Sequence, residues 1–465
     1  MFNQLMLQVK NPSTGVCIDN IACDSAFSVE EKIGLCHLQF SDYKNHLPVA
    51  SRIAILESVV AQLQNSSSEV ALLIAQEGGK PLTDAIVEVD RAAFGIKLAI
   101  AHLLNHGSSS TPLNTFASEP HYQMEVTHQA IGPAICVSAF NHPLNLVTHQ
   151  LVSAFAAGCP CIVKPAFDTP LSCIKLVEFF HIAGTPPGWV DYVITRDNVL
   201  AESMVTDPRF AFFSFIGSAK VGWYLRSKLP PGTRCALEHG GVAPAFVDGT
   251  ADLGSAVNSL LKGAYYHAGQ VCVSTQRIYI EQSIFDSFAE RFSAAASELI
   301  VGDASLASTQ VGPLIRQQEV ERVENWVNEA RSMGAKILTG GKRFGHQFYL
   351  PTVIANAPES AKVNQLEVFG PVCNLMPYSS LEEQISKINN EPHCFHSAVF
   401  SDSEKTIQTL YKCLQTGCLM VNEHTAFRHD AMTFAGLKQS GLGAGGIPNS
   451  INHMLVEKIK ITRTA

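Results

Sequence analysis

Residues 131–164 read IGPAICVSAFNHPLNLVTHQLVSAFAAGCPCIVK, and the fold follows from this stretch. An apolar run (131–138) comes first, then a helical pattern over 144–157 that stops at Gly158, then a second apolar run from Cys161 to Lys164. Short apolar runs bounded by Gly and Pro are buried strands, and strand, helix, strand at this spacing is a crossover between parallel neighbours. Downstream the texture repeats, with a helix from Thr169, apolar runs at 190–194 and 211–215, a turn at Gly217, a helix from about Ser218 and a strand at 235–238. Together these make one doubly wound, Rossmann-like α/β unit. Upstream, residues 29–104 carry helical periodicity with few β-branched runs and form a helical layer.

Beyond Gly240-Gly241 a second α/β series begins, with helices expected near 251–267 and 282–299 and strands near 277–281, 373–377, 396–400 and 418–421. Two segments, 122–129 and 455–464, alternate polar and apolar residues and fit neither series. Exposed strands of that kind are expected to find partners in another subunit. Residues 11–15 read as a turn, and 65–68 and 108–111 as polar loops.

The length of 465 residues suggests about three domains' worth of chain, and 46% hydrophobic residues suffice for a large core. The 33 Lys and Arg against 41 Asp and Glu leave a formal charge of −8, which gives no footprint for nucleic acid. No basic, then apolar leader opens the sequence, and no run approaches the roughly 18 apolar residues of a membrane span. A cytoplasmic protein acting on small molecules is expected. The 13 scattered cysteines are expected to be reduced thiols, and Cys159 with Cys161 lacks a second ligand pair at zinc spacing, so no metal site is expected.

Several residues stand where chemistry is possible. Gly217-Ser-Ala-Lys-Val-Gly222 lies where a strand gives way to a helix, so backbone N–H groups there could face a phosphate; a plain strand-to-helix turn fits equally well. Cys272, in Gly269-Gln-Val-Cys272, is a nucleophile candidate or a packing thiol. Glu238 ends a strand before Gly240-Gly241 and reads either as a base on the ligand side of a parallel sheet or as a surface carboxylate. Asn141, before Pro143, could donate to an oxyanion or could cap a helix. Lys164 ends a strand, where its cation could hold a cofactor or stay solvated.

In their order, these motifs resemble the aldehyde dehydrogenase superfamily from about residue 11 to 461. The resemblance rests on Asn11-Pro-x-Thr-Gly15, Phe140-Asn-x-Pro143, Lys164-Pro-Ala166 with Thr169-Pro170, Phe215-x-Gly-Ser218 through Gly222, Leu237-Glu-x-Gly-Gly241, Gly269-Gln-x-Cys272, Glu367-x-Phe-Gly-Pro-Val372, Val421-Asn422 and Gly436-x-Lys-x-Ser-Gly441. It implies a cofactor domain (1–118 and 132–238, with part of 437–450), a catalytic domain (239–436) and a small β oligomerisation arm (119–131 and 451–465) in a homodimer or homotetramer. It further implies that Cys272 adds to the aldehyde, that Asn141 and the Cys272 N–H hold the oxyanion, and that Glu238 activates the water that cleaves the thioester. Lys164 and Glu367 would bind ribose hydroxyls of NAD or NADP, with Gly217, Ser218 and Gly222 near the phosphates and Phe369 against the nicotinamide ribose.

The sequence also departs from the family. The acid that commonly grips the adenosine ribose is replaced by Phe167, which leaves the choice between NAD and NADP open. Ile216, His239, Ala435 and Ala444 stand where other residues are usual. A CoA-acylating relative and a catalytically impaired binding protein are the alternatives. The tract from Phe427 to Met432 resembles the branch acting on lactaldehyde, succinate semialdehyde, glyceraldehyde 3-phosphate and phosphonoacetaldehyde. Arg428 is therefore a candidate for the substrate's anionic end, unless Asp430 pairs with it. Arg91 is a second candidate, with Glu88 and Asp90 at hand to neutralise it.

Overall fold

The computed structural model describes residues 5–105, 107, 109–113 and 121–463. Its first sheet has six strands in the order Gly441–Leu442, Arg234–Glu238, Phe212–Ile216, Ala134–Val137, Cys161–Lys164 and Val190–Tyr192. All pair in parallel except the first. Period-two alternation sends side chains to both faces. Cys136, Val163 and Phe212 join a core built with the helices Val49–Asn65, Ser67–Gly78, Leu82–Asn105 and Asn145–Ala157. Ile135, Ile162 and Phe213 meet Val29, Ile33 and Cys36 of the helix Ala26–Ser41 on the other side. The N-terminal helical layer thus divides over both faces. Its first helix starts ahead of the expected position because Ser25 and Ser28 form a reciprocal cap. The helix Asn145–Ala157 stops at Gly158, which takes the left-handed conformation at φ 89°.

The second sheet has seven strands, in the order Lys336–Thr339, Thr352–Ala355, Val372–Tyr378, Thr275–Glu281, Ala243–Val247, His396–Phe400 and Cys418–Val421. Only its first pair is antiparallel. The helices Gln317–Ser332, Leu381–Asn389 and Glu404–Cys413, absent from the sequence reading, belong to this half.

The two alternating segments, expected to find partners in another subunit, have a partner in each other. Tyr122–Ala130 and Leu455–Arg463 pair with each other within the chain, Leu455 opposite Ala130 and Arg463 opposite Tyr122. Ser109–Leu113, expected inside the first domain and partly read as a polar loop, is the third strand of this antiparallel sheet. Ser108 and Thr464 lie outside the described residues. A hairpin, Met6–Lys10 with Cys17–Ala22, closes around the expected turn at 11–15.

The topology decides where chemistry is possible. Lys164 and Glu238 end strands of the first sheet, whereas Cys272, Glu367 and Phe369 immediately precede strands of the second. Carboxyl ends of one sheet therefore face amino ends of the other.

Candidate active site

The Cys272 loop begins where the helix Leu253–Tyr265 ends. His267, Ala268 and Gly269 are all left-handed, at φ 48°, 55° and 71°. Such a conformation costs roughly 1–2 kcal/mol for each residue with a Cβ, and a Cβ on Gly269 would overlap the backbone of Gly370. Buried Gln270 holds the strained turn in place. Its Nε2 donates to the carbonyls of His267 and Pro313, each at 3.2 Å, and its Oε1 accepts from the Ile315 N–H at 3.0 Å. Asn141 closes the loop from the first sheet, donating from Nδ2 to the Gln270 carbonyl at 2.9 Å. That uses one of its two amide hydrogens. The Cys272 N–H points to its own sulfur, so the two donors expected at an oxyanion reach the same loop from different halves of the chain.

Burial pushes the Cys272 thiol up, the Glu367 and Glu238 carboxylates add to this, and the Arg428 charge opposes it. Glu238 is pushed up to about 7 by burial, against the pull of Arg428. Glu367 is pushed up to about 8 by burial, against Arg322 and the Gly241 N–H. Two carboxyls that exchange protons near neutrality thus flank one thiol, the arrangement that general base work requires. Both sit against bare backbone: a Cβ on Gly445 would overlap Glu238, and one on Gly240 would overlap Glu367.

The residues expected to hold a cofactor lie along the same crevice. Lys164 has no hydrogen bond or ion pair among the described residues, and burial lowers its pKa. Oε1 of Glu367 is buried without a partner. Phe369 is left-handed at φ 45° and meets Phe140 edge-on, with ring centroids 5.7 Å apart. Ser218 caps the helix Ala219–Arg226, the Gly217 N–H donates to the Glu238 carbonyl at 3.1 Å, and Gly222 makes room for the His239 ring. His239 in turn bonds through Nδ1 to the Gly217 carbonyl at 2.8 Å. An unpartnered ammonium, an orphaned carboxylate oxygen and a helix start suit a cofactor that brings hydroxyls and phosphates. Phe167 has Arg196 and Arg316 against its ring.

The arginine candidates are arranged differently from the expectation. Asp430 pairs with Arg91, not Arg428: Nε and Nη2 of Arg91 donate to its two oxygens at 2.9 Å each. Glu88, the expected neutraliser of Arg91, instead accepts from the Leu144 and Asn145 N–H groups at 3.0 Å and pairs with Lys80. Asp430 also binds His149 at 2.9 Å and Asn145 at 3.3 Å. Burial alone would raise its pKa, but the bonds from His149 and Arg91 hold it well below the usual carboxylate range. Arg428 donates through Nη1 to the Met432 carbonyl at 2.7 Å and lies 4.7 Å from the centre of the Phe434 ring. Its Nη2 is buried without a partner. His149 escaped the sequence reading, although its i, i+4 spacing from Asn145 puts both on one helix face.

A family model described as the aldehyde dehydrogenase family matches residues 3–460. The chain belongs to the aldehyde dehydrogenase family. It is 34% identical over 418 residues to a 3-sulfolactaldehyde dehydrogenase of Priestia megaterium, covering 90% of this chain and 87% of that one. Among solved structures, aldehyde dehydrogenase 21 from Physcomitrella patens in complex with the reaction product succinate superposes with a TM-score of 0.94 at 31% identity, covering 100% of this chain and 96% of that one. A glyceraldehyde-3-phosphate dehydrogenase from Methanocaldococcus jannaschii complexed with NADP gives 0.93 at 32% identity and covers 100% of both chains. The enzyme is an oxidoreductase that converts aldehydes to carboxylic acids with NAD or NADP. No helix among the described residues is long and apolar enough to cross a membrane.

Proposed function

We propose that the enzyme oxidises a short aldehyde whose far end carries negative charge and releases the free acid. The observation that carries this reading is the buried, unpartnered Nη2 of Arg428, whose charge acts on both Cys272 and Glu238. A desolvated guanidinium edge favours a carboxylate, sulfonate or phosphoryl oxygen. Arg91 is already committed to Asp430, so Arg428 alone takes this role.

In this mechanism Cys272 releases its proton to solvent and adds to the aldehyde carbon as the thiolate. The second amide hydrogen of Asn141 and the Cys272 N–H hold the oxyanion. A bound nicotinamide would supply the hydride acceptor, and loss of hydride from the tetrahedral carbon would leave a thioester on Cys272. Glu238 then draws a proton from the attacking water, the acid departs, and the Cys272 sulfur recovers its proton. Lys164 and Glu367 would hold ribose hydroxyls of the cofactor, Gly217, Ser218 and Gly222 its phosphates, and Phe369 its nicotinamide ribose.

The division into cofactor, catalytic and arm regions is supported by the three sheets, with Ser109–Leu113 counted in the arm by its pairing. Exposed Ile459 and Ile461 on the edge strand of the arm suit a homodimer or homotetramer. Thirteen free cysteines suit the reducing cytoplasm. A base beside the thioester favours water over CoA as the acyl acceptor.

The test is an aldehyde panel followed by absorbance of the reduced cofactor, with and without CoA. Succinate semialdehyde, lactaldehyde, glyceraldehyde 3-phosphate and phosphonoacetaldehyde are compared with neutral aldehydes of equal length. A higher kcat/KM for charged substrates, independent of CoA, is expected. Equal values for charged and neutral substrates overturn the charge assignment, and a CoA requirement overturns the release of free acid.

A further inference from the structure

In a parallel α/β unit that binds a dinucleotide, the residues after the second strand read the ribose 2′ position: a carboxylate takes the hydroxyl, whereas an arginine admits a phosphate. Here that strand is Cys161–Lys164, and Pro165-Ala166-Phe167-Asp168 follow it. Phe167 offers the ribose no hydrogen-bonding group. Instead its ring is a platform for two guanidiniums. Cζ of Arg196 lies 4.8 Å and Cζ of Arg316 5.3 Å from the ring centre.

The two arginines reach this point from different halves of the molecule. Arg196 follows the neighbouring strand Val190–Tyr192, and Arg316 opens the helix Gln317–Ser332. Half-buried Phe167 is fixed beneath them by packing with Ile194, Leu171 and Ile174. The nearby carboxylate, Asp168, is engaged by Arg316, with Oδ2 3.4 Å from Nε. Arg196 is exposed and has neither a hydrogen bond nor an ion pair among the described residues. Lys164, Arg196 and Arg316, with Arg322 paired to Glu319, thus outnumber the carboxylates Asp168 and Glu319 at the strand ends. A phosphate monoester brings about −1.5 to −2 at neutral pH, whereas an unmodified ribose brings none.

We propose that Arg196, steadied on Phe167 and assisted by Arg316, binds a phosphate on the adenosine ribose, and that the enzyme thereby selects NADP over NAD. Stacking orients the planar guanidinium and leaves its donor edge free for phosphate oxygens. The inference concerns the adenosine end and is independent of the substrate proposed above.

Equilibrium binding to the full-length protein, without turnover, tests it. Calorimetry compares adenosine 2′,5′-bisphosphate with 5′-AMP, and adenosine 3′,5′-bisphosphate separates an NADP-type phosphate from a CoA-type one. The 2′,5′ compound is expected to bind at least about tenfold more tightly than 5′-AMP, the value of one charge-assisted hydrogen bond or more. It is also expected to outbind the 3′,5′ isomer. Arg196→Ala should close that gap while leaving 5′-AMP affinity unchanged, and Phe167→Glu should reverse it. Arg316→Lys, which keeps the charge beside Asp168, should narrow it. Equal affinity of the wild type for the 2′,5′ compound and 5′-AMP, a preference for the 3′,5′ isomer, or a gap that survives Arg196→Ala overturns the proposal.

Discussion

Half-buried Glu238 and buried Asp430 are two carboxyls within reach of the Arg428 charge, yet they hold their protons in opposite senses. No hydrogen bond or ion pair reaches the Glu238 carboxylate among the described residues, and burial raises it to about 7. Asp430 accepts two bonds from Arg91 and one each from His149 and Asn145, and these more than cancel the same penalty. Burial by itself always disfavours a carboxylate; the partners decide whether the group becomes a proton carrier or a fixed anion. Glu238 is left free to work because nothing pairs with it. Asp430 is spent on holding Arg91 and His149.

The largest effect falls on the centre that the free carboxyl serves. Cys272→Ala should abolish aldehyde oxidation, since no other group on the loop can form the thioester, while thermal unfolding stays near that of the wild type. Glu238→Gln comes next. If the free carboxyl deacylates the enzyme, stopped-flow traces should show a single burst of reduced cofactor and a steady rate lower by about 10²–10⁴-fold. Loss of the burst as well would give Glu238 a role in making the thiolate.

The same pair of residues separates in stability. Asp430→Asn should cost about 3 kcal/mol or less in urea unfolding, because it leaves the partly exposed Arg91 guanidinium without its carboxylate. Glu238→Gln should cost nothing at about pH 4 and should be more stable than the wild type at about pH 8. The folded-state pKa of Glu238 lies above its ordinary 4.5, so the folded state keeps a proton that the unfolded chain has released. The stability from this proton is complete below 4.5 and is lost as pH rises to about 7, and the Gln variant should lack that part of the slope. Equal losses in the two variants would erase the distinction. The smallest effect is on substrate choice: Arg428→Ala should raise KM for succinate semialdehyde about tenfold more than for a neutral aldehyde of similar length.

What the sequence made legible follows the same division. Strands 161–164 and 396–400 lie where their apolar runs and turn residues put them, because burial on both faces leaves a local signature. Asn141 bonds to the Gln270 carbonyl, two residues before Cys272, and both loops were marked by their own glycines or prolines. The partner of Asp430 was not legible. Arg91 stands 339 residues away, and only the folded chain brings it closer than Arg428. The helix Gln317–Ser332 escaped notice because its apolar stripe is thin among charges, although Val320, Val323 and Val327 bury it. The strands 122–130 and 455–463 were recognised, but alternation specifies a face and not a partner.

The short strand Gly441–Leu442 lies beside Glu238 at the edge of the first sheet, with Gly441 opposite Glu238 and Leu442 opposite Leu237. In chain order the whole seven-stranded sheet intervenes. During synthesis, therefore, the first sheet can form with the Glu238 strand as a bare edge, and it stays bare until the ribosome has delivered the entire second sheet. An unpaired edge is where nascent chains stick to one another. Charged Arg234, exposed on the waiting strand itself, disfavours contact between two unfinished copies.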